Sequence, residues 1–410
     1  MSLSTASSLA IDLKAQALAN ARRHGSAGDA LAELEAASFP ERKTERWKYT
    51  SLQALADGHL NAVANGEIRQ PLPALSDFVV TINNGHLQGS TLPTGVNLHH
   101  DAPAVNGLQT PFAAYNGAVC GQPVVLEVAA NTRIEQPIHV QIQSASEAPA
   151  HCNPRVIVKL NAGAEATVIE HYHAEGQALT NAVTALITAD NATLTHYRLQ
   201  GEQANTLHIG TLIIDQQGIS KVDSYQLMTG NRLRRNDVRA LVSKSGAELN
   251  MKGIFVVRDK SHVDNQLCVE HAVPNCQSDQ NFKGLAGESG KAVFNGRIHI
   301  HPGASGTNAE LSNKNLLLNP GAEINTKPEL EIYNDDVKCA HGTTVGQLDA
   351  GQQFYLQSRG IPAAEAKRML SLGFVNELLM ALPHPAVTDW AQPWLEAELT
   401  HANPAGESVA

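Results

Sequence analysis

Cysteine is scarce in this chain: Cys120, Cys152, Cys268, Cys276 and Cys339 are all there is among 410 residues, and no two stand at C-x-x-C spacing. Thiols so few, scattered and odd in number exclude a disulfide framework and a thioredoxin-like motif, and they fit a reducing, cytoplasmic compartment. Long apolar runs are missing too. No stretch of about eighteen such residues occurs, so nothing reads as a membrane-spanning helix. Positive charge is in deficit, with 30 Lys and Arg against 40 Asp and Glu and a net charge of −10. That balance argues against an electrostatic nucleic-acid binder and against a polybasic membrane surface, and it leaves proteins as the expected partners. Hydrolase and protease signatures, G-x-S-x-G and H-E-x-x-H, do not occur. "GLAGESGKA" sets Gly290 beside Lys291, but a P-loop needs a glycine five positions before that Gly and Ser or Thr after the Lys. Leu285 and Ala292 stand there instead, so the chain is not expected to hydrolyse ATP.

With 42% hydrophobic and 17% charged residues, the sequence can bury a large core and form more than one folding unit. The N-terminus, "MSLSTASSLAIDLKAQALANARRHG", is rich in Ser and Ala as transit peptides are, yet it carries Asp12 and no continuous apolar core. It reads as a helix of the mature protein. Leu9, Leu13 and Ala17 recur near a 3.6 period behind Ser7 and Ser8, which can cap, and Gly25 follows Arg22 and Arg23 where a helix would stop. Leu31 and Leu34 continue the pattern after Asp29 until Pro40. A helical region over residues 1–75 is the expectation.

From about Val79 the texture changes to short runs of Val, Ile, Thr and Leu punctuated by Gly, Asn and Asp, and this predicts a β region over 76–345. In "RVIVKL" the alternation puts Val156, Val158 and Leu160 on one face; in "LNMKGIFVV" it does the same for Leu249, Met251, Phe255 and Val257. Turn signals centred on Gly163, Asn191, Gly218 and Gly246 are separated by 28, 27 and 28 residues, then weaken toward Gly290 and Gly321. A near-constant step suggests coils that return to the same corner, as in a parallel solenoid. Short strands and turns also fit an antiparallel sandwich. Helical periodicity resumes over 346–410: Asp349 and Gln352 resemble a capping box, Gly360 ends that helix, and Pro362 suits the first turn of the next, which carries Met369, Leu370, Phe374, Leu378 and Leu379. The apolar residues of this hairpin exceed what one stripe needs, so part of it is expected to dock on another protein.

Three constellations could carry chemistry. In "RIHIH" a strand would point Arg297, His299 and His301 one way and Ile298 and Ile300 the other, and "HYH" repeats the spacing at His171 and His173. Two imidazoles on one face can chelate a metal, but no neighbouring acid or thiol in sequence completes either set, and solvated strand faces are the plain alternative. Cys268 and Cys276, flanking Pro274, read as inert thiols. In "ELEIYNDDVKCAHGTT", if one strand runs through, Tyr333, Val337, Cys339 and His341 share a face. A protonated imidazole there would lower the thiol's pKa and favour the thiolate, which takes up sulfur or binds soft metal. Two ligands are too few for an iron–sulfur cluster, so further donors would have to come from a partner chain. A half-buried cysteine beside a structural histidine is the bland alternative.

"KPELEIYNDDVKCAHGTT" with "FYLQSRGI" resembles the C-terminal signature of the SufB/SufD family of the SUF iron–sulfur cluster assembly machinery, on its SufD side, and "FPERKTERWKYTSL" resembles that family's N-terminal segment. The resemblance implies a mainly β fold, a right-handed parallel β-helix flanked by helical ends. It implies a non-catalytic scaffold that pairs with SufB through the β-helix and holds the ATPase SufC on its C-terminal helices, helping iron enter and clusters form. Cys339 and His341 match the family's C-x-H-G motif at the SufB contact, where they would share a transient iron or iron–sulfur cluster with the partner, this chain binding no cofactor alone. Phe354, Tyr355, Arg359, Gly360, Met369 and Phe374 fall in the ATPase-docking region. SufB carries a sulfur-handling cysteine where this chain reads "ELSNKNLLLNPG" and a His-Glu pair where it reads "KCAHG", and both differences favour SufD. Two rivals remain: a metal-dependent β-fold enzyme using His299 and His301, and a structural solenoid adaptor in which Cys339 and His341 are bystanders.

Overall fold

Alternating residues in the β region do face a common core. In the computed structural model, which describes residues 3–41, 43–105, 107 and 110–401, they line a parallel β-solenoid made of two facing sheets. The strands are β1 (Phe78–Asn83), β2 (His86–Ser90), β3 (Val96–His99), β4 (Val124–Val128), β5 (Ile138–Cys152), β6 (Arg155–Leu160), β7 (Glu165–Thr188), β8 (Thr193–Gln200) and β9 (Leu207–Gln216). They continue with β10 (Lys221–Thr229), β11 (Leu233–Val242), β12 (Glu248–Val257), β13 (His262–His271), β14 (Gln277–Ala286), β15 (Lys291–Ile300), β16 (Thr307–Leu317), β17 (Glu323–Ile332) and β18 (Val337–Gln347). One sheet runs β2, β1, β5, the first half of β7, β8, β10, β12, β14, β16, β18. The other runs β3, β4, β6, the second half of β7, β9, β11, β13, β15, β17. Among the described strand pairs only β1–β2 and β3–β4 are antiparallel, so the solenoid starts with a cap and grows by parallel addition. The two faces read from the sequence, Val156, Val158 and Leu160, and Leu249, Met251, Phe255 and Val257, lie in the core between the sheets.

The corners explain the repeat. Backbone amides at one edge bond from coil to coil: Gly163 to Asp190 O (2.9 Å), Asn191 to Ile219 O (2.6 Å), Gly246 to Asn275 O (3.1 Å), Asn275 to Ser305 O (2.8 Å) and Gly306 to Asp336 O (2.7 Å). Several of these residues have positive φ, among them Asn191 at 58° and Asn275 at 57°, a conformation that Gly and Asn adopt with least strain. The period therefore does not fade after Gly246. It passes through Asn275 and Gly306, whereas Gly290 and Gly321 lie at the opposite corner, where β14 turns into β15 and β16 into β17. Lys291 opens a strand rather than a helix, which removes the structural context a P-loop requires.

Glycines inside the coils make room for aromatics. A Cβ on Gly253 would lie 2.4 Å from the Phe282 ring, and one on Gly284 would lie 2.2 Å from the Phe255 ring. Phe255 and Phe282 both pack on Phe294, with centroids 6.4 and 5.1 Å apart. Gly284→Ala overfills this stack and is expected to lower stability by about 1–3 kcal/mol. Urea unfolding of the full chain checks it, and an unchanged midpoint would show that the rings yield freely.

Helices cover part of each outer face. α1 (Leu3–Arg23), α2 (Gly28–Ala36) and α3 (Pro111–Val119) share a core with Leu179, Leu207, Ile209 and Leu233 on the second sheet. α1 starts at Leu3, ahead of the Ser7–Ser8 cap suggested by the sequence, and ends in a Schellman turn, with Gly25 N–H on Arg22 O and Ser26 N–H on Ala21 O. α3 breaks the expectation of an uninterrupted β region; Thr110 caps it by accepting from the Ala113 amide, and Pro111 fills its first turn. After β18, α4 (Ala350–Ser358) is capped by Asp349 through the Gln352 amide, and Gly360, at φ 86°, ends it. α5 (Ala363–Met380), with Pro362 just before it rather than inside it, and α6 (Pro385–His401) pack on Ile169, Tyr197, Leu199, Tyr225, Leu227, Ile254 and Val256.

Candidate functional site

The solenoid is left open at its last coil. β18 bonds in register to β16, and among the described residues no strand pairs with its other edge. Ala309 and Leu311 point into the core of the preceding coil, so their partners Cys339 and His341 point the same way, but among the described residues no further coil covers them. Cys339 is half-buried against the end of the core and His341 is exposed. Around this end the interior turns polar: Thr326 donates to Asn313 Oδ1 (2.9 Å), and Asn315 donates to the Thr344 carbonyl (3.1 Å). Ile332, Tyr333 and Val345 add exposed apolar surface at the rim. A bare strand edge beside such a surface is a template for another chain.

Two features differ from the sequence reading. β17 stops at Ile332 and a turn separates it from Val337, so Tyr333 sits at a corner, against His299 (centroids 5.6 Å apart), and does not share a strand face with Cys339. The Cys339 thiol is also not activated by its neighbour. Burial pushes its pKa up, and the Ala309 backbone amide draws it back only in part. Left alone, the pair holds a neutral thiol; conversion to thiolate needs added positive charge, as a bound metal supplies.

The C-terminal hairpin splits into a docked and a free part. Phe374 is half-buried, its backbone carbonyl accepting from Lys283 Nζ (2.8 Å) and its ring lying 5.3 Å from that ammonium. Phe354 and Tyr355 on α4 are 73% and 56% exposed, Arg359 lies over the Tyr355 ring at 5.1 Å, and Arg359, Gly360 and Met369 are exposed as well. These aromatics form an exposed patch that nothing among the described residues covers.

The histidine strands also depart from expectation. His171 is buried, edge-to-face against Trp390 of α6 with centroids 4.8 Å apart, and His173 bonds Glu175 (3.1 Å), so "HYH" is an interior feature rather than a solvated face. At "RIHIH" the core does take Ile298 and Ile300, and it leaves Arg297, His299 and His301 outside. There, contrary to the sequence reading, acids complete the set: Glu270 lies opposite His299 on β13, and Glu331 opposite it on β17. The repeat contained this signal, because one coil's step back from His299 lands on Glu270. Cys268 is buried beneath Arg297, whose Nε and Nη2 donate to its sulfur at 3.3 Å, and Cys276 lies in the core, so both are structural thiols.

The class these features define is a parallel β-solenoid, roofed by helices on both sheets and ending in an uncovered coil that presents a cysteine and a histidine. Residues 141–374 match the family described as SUF system FeS cluster assembly, SufBD core domain. The iron-sulfur cluster assembly protein SufD of Escherichia coli is 30% identical over 393 residues, covering 88% of this chain and 89% of its own. An iron-sulfur cluster assembly SufBD family protein of Synechocystis is 28% identical over 400 residues, with 88% and 87% coverage, and a chloroplastic protein of Arabidopsis thaliana is 28% identical over 399, with 89% and 84%. The chain belongs to the SufB/SufD family of the SUF iron–sulfur cluster assembly system and is of the SufD type.

Proposed function

We propose that this chain is a non-catalytic subunit of a cytoplasmic SUF complex, in which the open coil pairs with a SufB-type subunit and Cys339 and His341 help assemble a cluster whose remaining ligands that partner supplies. The observation that carries the reading is the bare β18 edge with both side chains uncovered beside it. Iron is cargo at this site, held briefly, because a thiol and an imidazole make only half of a cluster's usual four ligands. A thiol that stays neutral until metal arrives suits such a role. Phe354, Tyr355, Arg359, Gly360 and Met369 would receive a SufC-type ATPase, with Phe374 anchoring the hairpin to the solenoid, so that nucleotide-driven movement reaches the coil end through α4 and α5. The acidic net charge supports protein partners over nucleic acid. Among the described residues no helix is long and apolar enough to cross a membrane.

The test is co-expression with SufB-type and SufC-type subunits. His341→Ala, being exposed, should leave complex recovery intact while iron and acid-labile sulfide fall by roughly tenfold or more, the scale of losing a metal-site group. Undiminished cluster content in the Cys339→Ala, His341→Ala double variant would leave the adaptor reading in its place. Phe354→Ala with Tyr355→Ala should separately release the ATPase, since exposed aromatic anchors commonly contribute about 2 kcal/mol or more each.

A further inference from the structure

The outer face of the second sheet carries a second constellation, independent of the coil end. Glu270 on β13 and His299 on β15 are register neighbours, and His301 follows two residues on, just past the end of β15. The imidazoles of His299 and His301 stack with centroids 4.2 Å apart and planes 9° from parallel, which aligns their edges toward the same space. One donor atom from each of the three residues lies within 4.8 Å of the others. His301 Nε2 stands 3.4 Å from Glu270 Oε2. That separation is long for a hydrogen bond, but two donors about 2.0–2.2 Å from one ion at a tetrahedral angle sit roughly 3.4 Å apart.

The surroundings favour an ion over a simple ion pair. Glu270 is almost wholly buried, while His299 and His301 remain 20% and 36% exposed, so the donors are rooted in the sheet and open to solvent on one side. Arg239 Nε binds the other carboxylate oxygen, Oε1, at 2.6 Å, which fixes the carboxylate and leaves Oε2 turned to the imidazoles. Glu331 Oε2 lies 3.7 Å from His299 Nδ1, beyond hydrogen-bond distance, while its Oε1 accepts from Arg297 at 3.0 Å, so a second carboxylate stands beside the site without binding the ring.

We infer that Glu270, His299 and His301 form a binding site for one divalent first-row transition-metal ion, with Arg239 orienting the Glu270 carboxylate. Two imidazoles and a carboxylate with the outward side open are the donor set that iron(II) and zinc(II) both accept. The site does not depend on the proposed role of Cys339 and His341.

The full-length protein, stripped with a chelator, is titrated with cobalt(II) as a spectroscopic probe, and separately with zinc(II) and, under anaerobic conditions, iron(II) by equilibrium dialysis. Saturable binding of one equivalent with visible cobalt bands is expected, and the zinc and iron arms show which ion is held more tightly. His301→Ala, at a half-exposed position that the fold tolerates, and Glu270→Gln should each weaken binding at least about 10–100-fold, the scale seen for outer-shell losses alone. Cys339→Ala with His341→Ala should leave it unchanged. Circular dichroism and thermal melting establish that each variant is folded, and His301→Ala carries the decision if Glu270→Gln is not. Absence of saturable binding, or binding that survives His301→Ala but not the Cys339 and His341 replacements, would overturn the assignment.

Discussion

Acidification from pH 7.5 to 5.5 is expected to remove about 8 kcal/mol of folding stability, because six buried histidines must stay neutral in the native state. His59, His139, His208 and His271 are depressed to about 4, and His151 and His171 to about 3, with burial the leading cause in every case. Each has a folded pKa below its unfolded value near 6.5. The stability tied to them is therefore complete above about pH 6.5 and is lost as pH falls toward 4 and 3, while the unfolded chain takes up protons the folded one refuses. Each imidazole adds a slope approaching about 1.4 kcal/mol per pH unit. The depressed carboxylates Glu170 and Glu202 act later, since their stabilisation begins to fade only near the ordinary carboxylate range. Between pH 6.5 and 4.5 the histidines therefore dominate. Urea midpoints at pH 7.5, 6.5, 5.5 and 5.0 check the slope, and His271→Gln, which removes one titrating ring bonded to Ser278 (2.9 Å), should flatten it by one histidine's share. Stability constant across that range would mean these rings take up protons without unfolding the chain.

Those same histidines mark the limit of what local pattern can reveal. The step between Gly163, Asn191, Gly218 and Gly246 was readable because each corner needs a residue tolerant of left-handed or close-packed backbone, and that requirement recurs once per coil. The C-terminal helices were readable from a cap, a terminating glycine and apolar spacing. Which side of a strand faces the core was less accessible. In "LTHYRLQ" polar His196, Arg198 and Gln200 point between the sheets, whereas Tyr197 and Leu199 point outward under α5 and α6. A roof of helices makes both faces interior, so alternation no longer separates core from solvent. Contacts across coils were hidden for another reason. Glu270 meets His299, and Cys268 meets Arg297, only through the register of β13 with β15, which no window shorter than a full coil contains. Cys339 and His341 were legible as a pair because they are two residues apart; that no later coil covers them among the described residues is a property of the whole stack.

Removing one carboxylate from inside that stack should have a large effect: Glu202→Ala is expected to lower stability by about 3–5 kcal/mol. Glu202 and Arg234 are fully buried, with Arg234 Nη2 2.6 Å from Glu202 Oε2. Arg234 Nε is held by the Thr229 carbonyl at 2.7 Å. His208 Nδ1 donates to Glu202 Oε1 at 2.6 Å and its Nε2 accepts from Gln200 at 2.9 Å, the pattern of a neutral ring. Asn236 then joins Gln200 to Asn265 across two further coils. Burial alone would raise the Glu202 pKa, but the Arg234 charge and His208 hold it far below the usual range, so the network folds around a permanent anion. Alanine at 202 leaves a guanidinium without a counter-charge in a site closed to water, a far larger penalty than the Coulomb energy of an exposed pair. Replacing both members, Glu202→Leu with Arg234→Met, removes the charge as well as its partner and should recover much of the loss. Urea unfolding of the three proteins at pH 7.5 decides it. A single variant within about 1 kcal/mol of the parent, on the scale of a surface ion pair, would show that water reaches Arg234 and that the interior between the sheets is wetter than its packing indicates.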